Sequence, residues 1–314
     1  MFKKLQYKTG CLLLSLLVLF VFSKGTALAV GISIEPGQIL IQNVPPDTSY
    51  DIFEKTGIKL KVINVDTVVH TYSISSTKPS EVSTGTWLKG YLEIPDAGWF
   101  YFDKNELTIG PNDTGYVKMY LKIPAEEKYY NQHWAVAIPI EGSPGEGGTV
   151  GIALALYPHF LIETESKMPV EEKPYGSIGL EPSIVLLKDV QLGKTSKTEV
   201  TIYNNDQIDH TYRLKAIAPK LISETKKQEI SPSPGYSWIP DHKWIKPNPG
   251  KFLGLVSTIK DVKVGAGKSS KFPLEIVVPE NDDYYGQKWE VIIMAEPEKG
   301  QTGFVRIRME TISK

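Results

Sequence analysis

The chain has 314 residues, a formal net charge of −1, 41% hydrophobic and 23% charged residues, and one cysteine. That length accommodates two domains, and the composition excludes a disordered or collagen-like chain. Near-neutral charge and only three arginines, Arg213, Arg306 and Arg308, exclude the basic footprint of a nucleic-acid binder.

Residues 1–29 read as a secretory signal peptide. Lys3, Lys4 and Lys8 precede an apolar run from Cys11 to Phe22, and Ala27-Leu28-Ala29 supplies the cleavage site. The run is too short to span a bilayer. The mature chain, starting at Val30, then contains no cysteine, so neither half is held by a disulfide. The expected location is secreted, or extracytoplasmic at the cell surface or envelope. No membrane span is expected in the mature chain.

Four ordered blocks occur twice. Ile32-Ser33-Ile34-Glu35-Pro36 matches Ile178-Gly179-Leu180-Glu181-Pro182, and Asn64-x-Asp66-x-x-x-His70-Thr71-Tyr72 matches Asn204-x-Asp206-x-x-x-His210-Thr211-Tyr212. Gly90-Tyr91-x-x-Ile94-Pro95-Asp96-x-x-Trp99 matches Gly235-Tyr236-x-x-Ile239-Pro240-Asp241-x-x-Trp244. Tyr129-Tyr130-x-Gln132-x-Trp134 matches Tyr284-Tyr285-x-Gln287-x-Trp289. The offsets are 146, 140, 145 and 155, so the chain is an internal duplication with insertions between blocks. The predicted units are 30–165 and 177–314, joined by a charged, proline-bearing linker at 166–176.

Each copy carries alternating runs, such as Ile58–Ile63, Thr198–Tyr203, Tyr116–Ile123 and Phe304–Met309, punctuated by turn residues. A period of two gives one buried and one wet face, and no segment sustains a helical stripe for three turns. The expectation is all-β: two tandem antiparallel sandwiches of about seven strands each. Trp134 and Trp289 are the expected core anchors.

The early strand, the asparagine turn, the aromatic stretch Trp99-Phe100-x-Phe102 and the strand entry Leu107-Thr108-Ile109-Gly110-Pro111 resemble immunoglobulin-like domains of the PapD and major-sperm-protein type. The layout also looks like the extracellular domains of WxL-interacting surface proteins. The resemblance implies an immunoglobulin-like sandwich and protein binding. Two departures accompany it: the first copy lacks the arginine with which PapD-type chaperones hold a subunit's terminal carboxylate, and the membrane helix that ends WxL-interacting proteins is absent.

Catalytic signatures are lacking. Gly265-x-Gly267-Lys268-Ser269 and Gly193-Lys194-Thr195 lack the first glycine of a P-loop and read as turns. There is no nucleophile elbow, no mature cysteine and no helical zinc spacing among the five histidines. His70 and His210, beside Asp66 and Asp206, read as strand-end residues satisfying a turn. Glu280-Asn281-Asp282-Asp283 reads as a solvated loop.

Aromatics offer the candidate ligand-binding residues: Tyr91 and Trp99 in the first copy, and Tyr236, Trp238, His242 and Trp244 in the second. Two readings stand beside each other, packing on the sandwich end and a stacking platform for a sugar or peptide, strongest in the Pro-rich segment Ser231–Gly250. Exposed sheet edges are a second route to a partner. No catalytic residue, metal or cofactor is expected. The expected role is an exported, non-catalytic interaction or adaptor component with a cell-surface protein partner. A carbohydrate- or cell-wall-binding protein and a chaperone for surface-fibre subunits are the alternatives.

Overall fold

The computed structural model describes residues 31–82, 90–143, 155–168, 172–174, 176–217, 230–247 and 259–314. The signal-peptide assignment therefore lies outside the described residues, as do parts of the 166–176 linker and residues 248–250 of the aromatic segment. The described chain is all-β, and no sheet mixes strands from before residue 165 with strands from after 177. Two short helices, Ile52–Thr56 and Pro79–Val82, were not foreseen; neither exceeds five residues.

The halves repeat strand pairing as well as sequence. In the first, Gln38–Val44 runs parallel to His159–Thr164, with Ile39 opposite Phe160 and Ile41 opposite Ile162. In the second, Ile184–Val190 runs parallel to Gly303–Thr311, with Val185 opposite Ile307 and Leu187 opposite Met309. Both ladders slip one residue near their ends, and both slips sit beside a left-handed residue, Asn43 (φ 55°) and Asp189 (φ 55°). Asn and Asp are the non-glycine types that tolerate this conformation best. Likewise Leu92 pairs with Trp134 and Ser237 with Trp289, both in parallel.

Each half has its own core. The first packs Val62, Tyr72, Phe100, Leu121, Trp134 and Phe160. The second packs Ile202, Tyr212, Phe272, Leu274, Trp289 and Ile307. At one end of each sandwich a triad of rings closes the core. Trp99, Tyr129 and Trp134 have centroids 4.9–5.8 Å apart. Trp244, Tyr284 and Trp289 lie 5.1–5.5 Å apart. Edge-to-face rings at these distances add attraction beyond area burial. The triads explain two repeated blocks at once, because each supplies rings to the other.

The Asn-x-Asp-x-x-x-His block is a polar clip. Asn64 Nδ2 donates to the carbonyls of Val68, Ile109 and Gly110, and its Oδ1 accepts from Asp66 N. Asn204 repeats all four contacts with Ile208, Val264, Gly265 and Asp206. His70 and His210 bond Asp66 and Asp206 at 2.9 Å. The hydrogen bond from His70 holds the Asp66 carboxyl below its ordinary range. Both histidines therefore sit where the turn reading put them. Replacing either fully buried asparagine with alanine strands several backbone groups, so Asn64→Ala and Asn204→Ala should each cost about 3 kcal/mol in urea unfolding, with near-additive losses in the double variant.

Candidate functional site

The strand Gly303–Thr311 alternates apolar and polar residues, and alternation alone puts Arg306 on a wet face. The structure corrects that expectation: Arg306 is 0% exposed, because the first half covers the outer face of this strand. The junction between halves has an apolar part and a charged part. Tyr91, Ala135 and Leu161 of the first half pack with Ile230, Ile292, Met294 and Phe304 of the second. His133 lies flat on Phe304, with centroids 3.9 Å apart and planes 7° apart.

The charged part centres on Arg306. Its Nε donates to both Glu163 oxygens, at 3.1 and 2.8 Å, and Nη2 donates to Glu163 Oε1 at 2.7 Å. Nη1 reaches the Ser231 carbonyl at 2.9 Å and Glu290 Oε1. Glu163 also accepts from Tyr91 at 2.5 Å and from Gln42 at 2.7 Å. Glu290 accepts from Ser233 and from Arg308 Nε. Two carboxylates are thus matched by two guanidinium groups, with few donors unused, which is the condition for tolerating buried charge.

The electrostatics follow from that pairing. Burial pushes the Glu163 carboxyl up, but Arg306 outweighs it and holds the group at about 2. Burial opposes charge on Arg306, and Glu163 outweighs that too, so its proton is held more firmly than usual. Burial lowers His133 to about 4. Its Nε2 has no hydrogen-bond partner among the described residues, so the ring sits there neutral.

Backbone shape supports the contact. Gly90 has φ +91°, and a Cβ there would meet a Phe304 ring carbon at 2.5 Å. Its repeat equivalent Gly235 has φ +80° and open space around it. The turn requires both glycines, while only the first is also required by the junction. Asn131, left-handed at φ 57°, accepts from Ser166, Lys167 and, across the junction, Ser183 N at 3.2 Å.

The six predicted site residues do not form one surface. Trp99 and Trp244 belong to the ring triads that close the two cores, and Trp244 is only 9% exposed. Tyr91 is buried in the junction. Trp238 packs against the junction cluster from the second half. Tyr236 donates to Glu310 Oε1 at 2.6 Å, with the Arg308 guanidinium 5.4 Å above its ring. His242 is half-buried in a 3₁₀ turn that Asp241 caps. The Tyr-to-Glu bond is duplicated, Tyr91 to Glu163 and Tyr236 to Glu310, but only the first is covered by the other half.

Glu163, Glu290, Arg306 and Ser233 were absent from the sequence candidates. Among the described residues no group of three or more His, Cys, Asp or Glu is placed to hold a metal ion. Asn281 caps the turn Asp282–Tyr284, and Asp282 pairs with Lys314. No helix of the described residues is long and apolar enough to cross a membrane.

No family model matches the chain, and no curated protein matches it. Among solved structures it is similar to a Porphyromonas gingivalis W83 protein of unknown function, at TM-score 0.34 and 11% identity over 89% of this chain and 99% of that one. It is similar to the class 5 fimbriae chaperone CfaA, at 0.33 and 11% over 88% and 99%. A PapD-like domain of human CEP192 aligns at 0.32 and 10% identity, over 45% of this chain and 90% of that domain. The all-β class and the two-fold repeat of strand pairing rest on the ladders described above.

Two outcomes test the junction. Arg306→Met leaves Glu163 and Glu290 buried without their cation and should cost about 3–5 kcal/mol, with Glu163→Gln/Arg306→Met recovering part of the loss in a double-mutant cycle. Acid should also loosen the protein. A histidine whose folded pKa is lowered takes up its proton more readily once unfolded, so stability falls as pH drops from 6.5 to about 4. Glu163 adds a loss below 4.5, as protonation approaches its folded pKa of about 2. Denaturant titrations across pH should show His133→Leu flattening the upper window by about 3 kcal/mol.

Proposed function

We propose that the protein is an exported, non-catalytic component of a cell-surface assembly that acts by presenting surfaces to a protein partner. The division into 30–165 and 177–314 around linker 166–176 is part of that proposal. The observation that carries it is the sealed junction: Arg306 between Glu163 and Glu290 makes two modules one stiff body. Interfaces within a chain that are small and polar permit relative motion; one with a buried, fully partnered charge network and an apolar cluster resists it. The repeated histidines, the best candidates for acid–base work, are occupied in structural clips, which supports a role without chemistry.

The alternatives fare differently. A subunit chaperone of the PapD type uses an arginine of its first domain; the first half of this chain has no arginine, and Arg306 of the second is fully buried and engaged by two carboxylates. A sugar platform needs open ring faces, but Trp244 is part of a core triad and Trp238 is turned into the junction. Tyr236 and Trp238 remain the usable test of that reading, because Trp244→Ala should cost about 3–5 kcal/mol of core stability on its own. Unchanged retention of Tyr236→Ala/Trp238→Ala on a cell-wall column removes it.

The interaction role predicts that crosslinking on intact cells recovers one defined surface partner with the wild-type chain. Arg306→Met, checked by circular dichroism to retain both sandwiches, should reduce that recovery several-fold. A chain that yields no crosslinked partner overturns the proposal.

A further inference from the structure

The first two repeated blocks lie at offsets of 146 and 140, so the first half carries six extra residues between Pro36 and Asn64. The structure shows what they build. In the second half Thr195–Asn204 is one continuous ten-residue strand. In the first, the corresponding stretch is interrupted by the helix Ile52–Thr56, capped by Asp51 and closed by Gly57 at φ 74°. The interruption opens a groove of about 450 Å³, lined by Glu35, Pro36, Phe53, Ile58, Lys59 and Tyr116 among others.

Charge in the groove is unlike its repeat equivalent. Lys59, in the lining, has its Nζ 4.3 Å from the centre of the Phe53 ring, and Lys118, beside the lining rather than in it, has its Nζ 5.6 Å from that centre. Neither lysine has a carboxylate within 4.0 Å among the described residues. The equivalents of Lys59 and Lys118 in the second half are Glu199 and Pro273, and Glu199 is paired with Lys271 at 2.9 Å. Lys59 and Lys118 stand just outside the paired strands Leu60–Asn64 and Thr114–Val117, and their like charges near one ring repel, eased by the ring. Lys61, by contrast, is paired with Glu35 at 3.1 Å.

The rim adds a second feature. Ile32–Glu35 pairs with Leu60–Asn64 on one side and, among the described residues, has no partner strand on the other. An unpaired edge offers main-chain groups to an extended segment. Tyr116, 52% exposed, stands at the same groove. The ring that a sugar would stack on, Phe53, already carries an ammonium group.

We infer that this groove binds an extended acidic segment of a protein partner, its carboxylates meeting Lys59 and Lys118 and its apolar side chains meeting Phe53, Ile58 and Tyr116. This names a partner chemistry for the interaction role and rests on it.

The probe is a fluorescein-labelled decapeptide of alternating Glu and Phe, with a Lys/Phe peptide and polygalacturonate as comparisons, titrated by anisotropy against the full chain. The Glu/Phe peptide should bind, the Lys/Phe peptide should not, and Lys59→Gln/Lys118→Gln should weaken binding at least tenfold. Lys197→Gln/Lys271→Gln, which removes two exposed lysines from the second half, should leave it unchanged. Equal weakening by both pairs, or binding of polygalacturonate without the peptide, overturns the inference. Melting curves for both pairs separate loss of binding from loss of fold. Recovery of a surface partner on cells together with no peptide binding would sink the groove alone and leave the interaction role standing.

Discussion

Everything about the arrangement of the two modules depends on one guanidinium group removed from water. Arg306 is 0% exposed, and its neighbours Glu163 and Glu290 are equally buried. Removing charge from water costs several kcal/mol per ion, and the Coulomb return offsets this only when geometry is good and the remaining polar atoms are bonded. Here Tyr91, Gln42, Ser233 and the Ser231 carbonyl supply those bonds. Such a network adds little net stability compared with a greasy contact. Its effect is on specificity, since few other juxtapositions of the two sandwiches would satisfy all of its groups.

The duplication explains which contacts are general and which are particular. Positions alike in both halves hold each sandwich together: the asparagine clips, the ring triads and the left-handed residues at the strand slips. Positions that differ mark where the halves meet, or where only one has acquired a groove. Arg306 stands where the first half has His159, and Asn131 stands where the second has Gly286. In the second pair a left-handed position filled by glycine in one copy is filled by asparagine in the other, whose side chain then ties the linker to both modules.

The all-β class was legible because it rests on local periodicity and on repeated turn chemistry; which strands pair, and that Gln38–Val44 and Ile184–Val190 run parallel to their partners, was not, because pairing is set by contacts far apart in sequence. The roles of His70 and His210 were legible for the same reason. The junction was not. Alternation in Phe304–Met309 marks one face as polar but carries no information about what later covers it, so Arg306 looked solvated. A usable hint existed: two of the three arginines occupy that single strand, on the same face. Aromatic residues misled in the opposite sense. Proximity in sequence suggested that Tyr236, Trp238, His242 and Trp244 act together, whereas Trp244 joins the core rings, Trp238 packs on the junction cluster and Tyr236 bonds Glu310. The helix Ile52–Thr56 escaped notice because a single capped turn is too short for any periodic signal, although the change in offset marked a six-residue insertion between Pro36 and Asn64.

The long sequence separation of the Glu163–Arg306 pair has a consequence for synthesis. These partners stand 143 residues apart, so the leading sandwich emerges with an acid on its surface whose counter-charge has yet to be made. Until the trailing sheet is assembled, that carboxylate has Tyr91 and Gln42 of its own module as partners but no cation. The charge balance of the junction is therefore complete only once both halves of the chain have been made.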